Sequence, residues 1–515
     1  MTEPYSCGIG GGGFMVIRTR HGRITTIDSR ETSPAAMRPD SFFEAGQPLA
    51  FAPARYSGLS AGVPGTVRGW SEALRKYGTW SLRRALEPGT KVARRGFEVD
   101  EIFAEQTEGN VPFFADVPST AALYLDADGT PRDPGYVLRN PDLARTYRLI
   151  GKRGPEGFYS GRVARAIVRA ARTPPVFPDA DNVWRPGLMT EEDLASYTAP
   201  ERRPTRVSFR GFSVWGMAPP SSGGSTVGEV LNILDGYRSL AADRTRALHL
   251  LIESERLAFA DRGAFLADPD FFDVPLRGLL SERFASERRA LIDPATAGTS
   301  PADPGDPAGD GGPEGTGRTG FSHPRQSTTH LTVSDRHGTV VSYTFTIEST
   351  GGNGIVVPGY GFLLNNELTD FDFDDVTAPN RSDGGKRPRS SMSPTIVTRG
   401  RRPVLAVGTP GGSTIITTVA QILLDRLGLG RSLPEAIAAP RVSQRNAAAT
   451  QAEQAFIDSS EGQALATSYG QAFQAAVDDI GAATGIEFGR HGRVLAAAEP
   501  VRRGGGSAAV ERPAR

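Results

Sequence analysis

The spacing of apolar residues changes several times along this chain, and each change marks an element. Phe14 to Thr19 and Ile24 to Ser29 alternate in polarity around Arg20-His21-Gly22-Arg23, the pattern of a β-hairpin. From Val63 to Lys76, Thr90 to Gly96, Asp142 to Ile150 and Gly161 to Ala171 the spacing turns helical, punctuated by Pro and Gly. Leu248, Leu251, Ile252, Glu255, Leu257, Ala258 and Phe259 fall on one broad face and predict a helix ending near Arg262. Ala295 to Gly320 holds Pro, Gly, Ser, Thr and Asp with almost no apolar side chain, too little to offset the entropy of ordering, and predicts a flexible linker. Beyond it the pattern is β: Thr328 to Ser334, Val340 to Ile347, Gly354 to Val357, Gly361 to Leu364, Thr395 to Val397 and Val404 to Val407. A helix is expected from Ser413 to about Leu427, after Pro410-Gly411-Gly412, and a frayed tail from Arg503. The chain thus divides into a large region (1–294), a linker (295–327), a second region (328–502) and a disordered tail (503–515). Two layers of sheet with helices outside them accommodate both regions.

Composition narrows the function classes. The chain has 515 residues, 38% of them hydrophobic, enough to bury a core without disulfides. Its 58 basic and 58 acidic residues cancel, so no net field draws it to nucleic acid or to an anionic membrane. No apolar run approaches the roughly 18 residues of a membrane span. One cysteine, Cys7, excludes an intrachain disulfide and a thiolate metal cluster. His323, His330 and His337 recur at an interval of seven, yet no acidic or Cys partner gives metal-ligand spacing, and they are read as structural. Gly8-Ile-Gly-Gly-Gly-Gly13 has the composition of a phosphate loop, but a strand follows it and no Lys-Ser/Thr ends it, so close approach of backbones is the expected reason for the glycines. Neither a metal nor a cofactor is predicted.

The hairpin after the linker carries the chemistry. Arg336-His337-Gly338 suits a three-residue turn with Gly338 in the left-handed region, and that register sets Thr328 opposite Thr346. Cross-strand threonine pairs are also ordinary sheet residues. Here, however, the pair directly follows the linker. If the chain is cut before Thr328, that residue gains a free α-amine with an unperturbed pKa of roughly 7.7 to 8.0, a base beside its own hydroxyl. No catalytic histidine is then required.

Four stretches from 327 onward resemble the small subunit of the γ-glutamyltranspeptidases: Ser-Thr-Thr-His-Leu-Thr-Val-Ser-Asp (327–335), Gly-Phe-Leu-Leu-Asn-Asn-Glu-Leu-Thr-Asp-Phe (361–371), Lys-Arg-Pro-Arg-Ser-Ser-Met-Ser-Pro-Thr (386–395) and Thr-Pro-Gly-Gly-Ser (409–413). Upstream, Cys-Gly-Ile-Gly-Gly-Gly-Gly-Phe-Met (7–15), Asp-Ser-Arg-Glu-Thr-Ser-Pro (28–34), Pro-Pro-Ser-Ser-Gly-Gly (219–224) and Leu-Ala-Phe-Ala-Asp-Arg (257–262) resemble the large subunit, in the family's order. The resemblance implies an α+β fold, the four-layer αββα N-terminal-nucleophile hydrolase, formed by two subunits cut from one inactive precursor between Ser327 and Thr328. It implies that Thr328 is the nucleophile, that Thr346 orients it, and that the substrates are small molecules: glutathione or γ-glutamyl peptides as donors, water or amino acids as acceptors.

The same resemblance implies a donor site. Arg30 with Ser390 and Ser391 matches the clamp for the donor's α-carboxylate, and Glu348, Glu367 and Asp370 match the positions that receive its α-ammonium. Three carboxylates on one ammonium repel one another in an empty site, so one of them is expected to bind a proton. Gly411 and Gly412, ahead of a helix N-terminus, match the oxyanion site. An apolar acyl chain cannot pair such charges, so plain fatty or aromatic acyl amides are expected to be poor substrates. The alternatives are a related amidase acting on poly-γ-glutamate or a β-lactam side chain, and an unprocessed, non-catalytic relative that binds γ-glutamyl peptides. Two departures stand out. Roughly the first 60 residues of a complete member are expected to be missing, which leaves an export signal unseen although the resemblance suggests a periplasmic or secreted protein. The stretch Phe371 to Gly385 is short beside relatives that fold a lid over the donor, so the cleft is expected to be open and to favour hydrolysis over transfer.

Overall fold

A computed structural model describes residues 2–309 and 327–511. Its ten strands of five or more residues among the described residues come as five consecutive hairpins. These are β1 (Gly12–Arg18) with β2 (Ile24–Ser29), β3 (Thr205–Phe209) with β4 (Phe212–Gly216), and β5 (Thr329–Ser334) with β6 (Val340–Thr346). They continue with β7 (Thr395–Arg399) and β8 (Arg402–Gly408), then β9 (Thr484–Phe488) and β10 (Val494–Ala498). Two antiparallel sheets result, in the orders β2-β1-β6-β5 and β10-β9-β8-β7-β4-β3. Both take strands from either side of the stretch 295–327, so neither region closes a sheet alone.

Strands buried on both faces read as near-continuous apolar runs, and β1 shows why. Phe14 and Val16 point between the sheets, onto Val340, Met217, Ile396, Ala406 and Ile415. Met15 and Ile17 point the other way, into a cluster with Ile27, Tyr343 and helices α1 (Thr66–Tyr77), α2 (Leu82–Arg95), α3 (Pro141–Arg153) and α4 (Gly161–Arg172). The outer face of the six-stranded sheet, through Val207, Val214, Val397 and Leu405, carries α5 (Gly223–Asp235), α6 (Arg244–Phe265) and α7 (Thr414–Leu423). This is the expected αββα order. Each fully buried Leu, Ile or Phe in these layers is worth about 1.5 to 3 kcal/mol of transfer free energy, so the layers hold by area more than by any one contact.

The glycine run before β1 does what its composition suggested. A Cβ on Gly10 would lie 2.0 Å from the Leu363 carbonyl oxygen, one on Gly11 1.9 Å from that of Thr346, and one on Gly12 2.3 Å from that of Ser29. The Gly11 carbonyl in turn accepts the N–H groups of Gly65 and Thr66, each at 2.9 Å, and so starts α1. Near the sheet interface, the His330 ring lies over Gly408 and bonds Thr344 (2.8 Å) and Thr332 (3.0 Å), with burial pushing its pKa down to about 3. His337 sits in the β5–β6 turn, and His323 lies outside the described residues.

Four expectations need correction. Helix α6 does not present one face to the core: from Ala247 to Gly263 it is buried all round, and its polar side chains are matched inside, as Glu253 with Arg256 at 2.6 Å and Asp261 with Arg288 at 2.9 Å. The segments 354–357 and 361–364 form only an isolated antiparallel bridge, Val356 with Leu363, because Gly354, Gly359 and Gly361 all take positive φ and interrupt a ladder. The first half of the stretch expected as linker is anchored: Ala297 N–H donates to the Tyr469 carbonyl (2.7 Å), Ala302 N–H to Asn446 (2.6 Å) and Gly305 N–H to Asp261 (2.6 Å). Backbone groups make these bonds, so the scarcity of apolar side chains did not reveal them; residues 310–326 lie outside the described residues. The start of the expected tail is likewise tied down, Arg503 N–H to Asp479 (2.8 Å) and Gly506 N–H to the Glu499 carbonyl (2.8 Å). No helix among the described residues is long and apolar enough to cross a membrane.

The Gly11 contact is backbone against backbone and cannot relax by a rotamer change. Gly11→Ala is expected to cost about 2 to 4 kcal/mol, whereas Gly8→Ala, whose Cβ would meet only the Gly10 nitrogen at 4.0 Å, should be near neutral in thermal unfolding.

Candidate active site

The register of β5 and β6 builds the site. Ser334 pairs with Val340 and Thr329 with Phe345, and Gly338 takes φ +84° in the expected three-residue turn. One step further Thr328 faces Thr346, with their hydroxyl oxygens 3.3 Å apart. Both hydroxyls reach the carbonyl oxygen of Ser327, Thr328 Oγ1 at 2.7 Å and Thr346 Oγ1 at 2.6 Å. Ser327 is itself clamped: its N–H donates to the Glu348 carbonyl (2.9 Å) and its hydroxyl to Ser6 Oγ (2.7 Å). All three residues are buried. The bond between Ser327 and Thr328 is therefore held, its carbonyl polarised by two hydroxyl donors, one of them the Thr328 hydroxyl itself.

Beyond β6 the chain turns sharply. Glu348 has φ +77°, the left-handed region that an L side chain rarely occupies, and is kept there by its neighbours. The Thr346 hydroxyl accepts its N–H at 2.8 Å, and its carboxylate accepts from Ser349 Oγ and Asn366 Nδ2. This turn points the Glu348 carboxyl into a narrow cleft lined also by Arg30, Thr328, Thr346, Glu367, Asp370, Ser390, Ser391 and Gly412, with Met392 and Ile415 as apolar wall. Of the residues expected at the site, these share one cleft. Ser327 lies at its edge through the Thr hydroxyls, and Gly411, one residue behind Gly412, does not line it. Gly411 and Gly412 take φ of +133° and +57°, a conformation open to glycine, and lead into α7.

The charges of the empty cleft pair with one another. Arg30, fully buried just after β2, donates through Nη1 to Glu367 and through Nη2 to Asp370 (2.5 Å), while Nε and Nη2 also reach the carbonyls of Pro388 (3.1 Å) and Arg389 (3.2 Å). Burial works against its charge, but Glu367, Asp370 and Glu31 outweigh it and hold the guanidinium above its ordinary range. Burial, then the charge of Asp370, pushes the Glu348 carboxyl up to about 7. Burial also pushes the Glu367 carboxyl well above its ordinary range despite Arg30, so Glu348 and Glu367 are both candidates for the expected proton.

Sequence reasoning missed several supports. Glu31, behind Arg30, is fully buried and pushed by burial up to about 8. Asn365 bridges Gly10 and Gly62 through its amide (2.7 and 2.9 Å) and accepts the Glu367 N–H at 2.9 Å, so it sets the turn that carries Glu367 and Asp370. Arg262, at the end of α6, reaches Ser391. All three sit inside the motifs quoted above, yet Asn365 and Arg262 also take partners more than a hundred residues away, in Gly10, Gly62 and Ser391, which nothing in local spacing signals. None of residues 371–385 lines the cleft; Phe371 and Phe373 pack instead with Met37, Phe42, Ala54 and Leu59.

Comparison with known proteins agrees with this geometry. A family model described as gamma-glutamyltranspeptidase matches residues 1–509. The glutathione hydrolase proenzyme of Bacillus subtilis (strain 168) is 38% identical over 458 residues, which cover 86% of this chain and 74% of that protein. The acylase ACY 1 proenzyme of Pseudomonas sp. (strain SE83) is 34% identical over 454 residues, 86% of this chain and 75% of that protein. Among solved structures, a cephalosporin acylase from Bacillus halodurans has a TM-score of 0.82 at 26% identity, covering 100% of this chain and 89% of that one. The chain belongs to the γ-glutamyltranspeptidase family.

Proposed function

We propose that the chain cuts itself before Thr328 and then acts as a γ-glutamyltransferase and glutathione hydrolase. One observation carries the reading: two threonine hydroxyls converge on the Ser327 carbonyl at the edge of a cleft holding one arginine, three carboxylates and two serines. In the cut, Thr328 Oγ1 bonds to the Ser327 carbonyl carbon, the carbon–nitrogen bond breaks, and the hydroxyl proton passes to the departing nitrogen. Thr346 donates to the developing oxyanion and is oriented by the Glu348 N–H. Water then hydrolyses the ester, leaving a Ser327 carboxylate and a Thr328 with free hydroxyl and amine. In turnover that amine takes the hydroxyl proton, Oγ1 attacks the γ-carbonyl of the donor, and the amine returns the proton to the leaving group. The resulting ester passes to water or to an amino acid.

Selectivity follows from charge. A donor α-carboxylate would take hydrogen bonds from Ser390, Ser391 and Arg30, and its ammonium would replace the guanidinium as partner of Asp370 and Glu367 and face Glu348. A plain acyl amide would offer neither, at a cost of several kcal/mol. This argues for γ-glutamyl donors over the acylase reading, although relatives named as acylases share the fold. The N–H groups near Gly412 suit the oxyanion of the tetrahedral intermediate.

Thr328→Ala should leave one band at the uncut 54.8 kDa and no amidase activity, while wild type should yield a smaller fragment beginning Thr-Thr-His-Leu; an active single chain would refute the mechanism. The Glu348 carboxyl, pushed up to about 7, loses its charge as pH falls. Inhibition by L-glutamate should therefore weaken about tenfold between pH 8 and pH 6, and Glu348→Gln should flatten that dependence. With no lid residue lining the cleft, hydrolysis should exceed transfer at low acceptor concentration, read as the ratio of glutamate to γ-glutamyl peptide formed.

A further inference from the structure

We infer that Arg262 is a positioning residue for the donor carboxylate, acting through Ser391 and Ser222; the inference rests on the γ-glutamyl reading above. Arg262, near the C-terminal end of α6, is 8% exposed, and among the described residues no carboxylate lies within ion-pair distance of it. Its Nη2 donates to Ser391 Oγ and its Nε to Ser222 Oγ, both at 2.9 Å. Burial and the nearby Arg389 press against its charge more than Asp372 and Asp370 support it. A buried guanidinium bonded only to hydroxyls is costly unless an anion joins it, and here the adjoining cleft is where an anion would bind.

The direction of the hydrogen bonds gives the mechanism. A hydroxyl has one proton. Ser222 passes its proton to the Ser390 carbonyl (2.6 Å), and its own N–H reaches the same oxygen at 2.7 Å, so Arg262 fixes the Ser390–Ser391 backbone. Ser391 Oγ accepts from Arg262, and Ser390 Oγ accepts the Met392 N–H at 3.2 Å. Neither has an acceptor for its proton among the described residues, and both line the cleft. Arg262 therefore sets the Ser391 hydroxyl as a donor toward the cleft and adds positive charge behind it. Because Arg30 is already occupied by Glu367 and Asp370, the serine pair is the part of the clamp ready for a carboxylate before any ion pair opens.

The test is mature Arg262→Gln enzyme, assayed with γ-glutamyl-p-nitroanilide and with 4-aminobutyryl-p-nitroanilide, the same donor without its α-carboxylate. KM for the first should rise about tenfold with kcat within about twofold, KM for the second should barely change, and Arg262→Lys should recover part of the loss. In a Ser391→Ala background the Arg262→Gln effect should largely vanish. Equal losses on both donors, or additive losses in the double variant, would overturn the assignment. If Arg262→Gln does not mature, Arg262→Lys with and without Ser391→Ala gives the same comparison. L-Glutamate binding measured by calorimetry separates the two claims: wild type that binds glutamate yet releases no nitroaniline fails the functional reading, whereas Arg262→Gln or Arg262→Lys binding glutamate as tightly as wild type fails this one.

Discussion

The antiparallel ladder between β1 and β6 is the constraint on which the site depends. It runs from Gly12 opposite Thr346 to Arg18 opposite Val340, and its first pair fixes the carbonyl and hydroxyl of Thr346 at the end of the sheet. The two strands come from regions on opposite sides of the cut, so the bond to be broken is not needed to hold them together. Backbone hydrogen bonds, the interlayer side chains and the glycine contacts do that instead. A precursor can therefore lose a peptide bond between the two regions and keep β1 and β6 in place.

The electrostatics of the cleft follow the same economy of placement. Arg30, Glu367 and Asp370 form a closed charge set in which the buried guanidinium faces two carboxyl groups. Glu348 stands outside that set. Its carboxyl is raised toward neutrality by burial and by Asp370, and its backbone is strained to φ +77° to bring it there. The same turn supplies the N–H that orients Thr346. One residue thus turns its backbone to Thr346 and its side chain to the cleft.

Support for the cleft crosses the cut repeatedly. Ser222 and Arg262, on the long upstream region, hold Ser390 and Ser391, and Gly10 and Gly62 are bridged by Asn365. After scission each of these becomes a contact between two chains. Together with two shared sheets they explain how the fragments stay associated without a disulfide, the only cysteine being the buried Cys7.

Local order was legible in the residues themselves. Alternation predicted β1, β2, β5 and β6; turn chemistry predicted the register that faces Thr328 with Thr346; and the glycine run predicted close backbones, because period, turn type and lack of a side chain are properties of neighbouring residues. The wrapping of α6 on all sides, the anchoring of residues 297–305 and the failure of 354–364 to pair as strands were not legible, since each depends on partners far along the chain or on glycine dihedrals that spacing does not report. The donor residues could be named from motif resemblance, but not their arrangement. That Arg30 is occupied by Glu367 and Asp370, and that Arg262 stands behind Ser391, is decided only when segments hundreds of residues apart pack together, because burial is what turns a charge that water would screen into one that must find a partner.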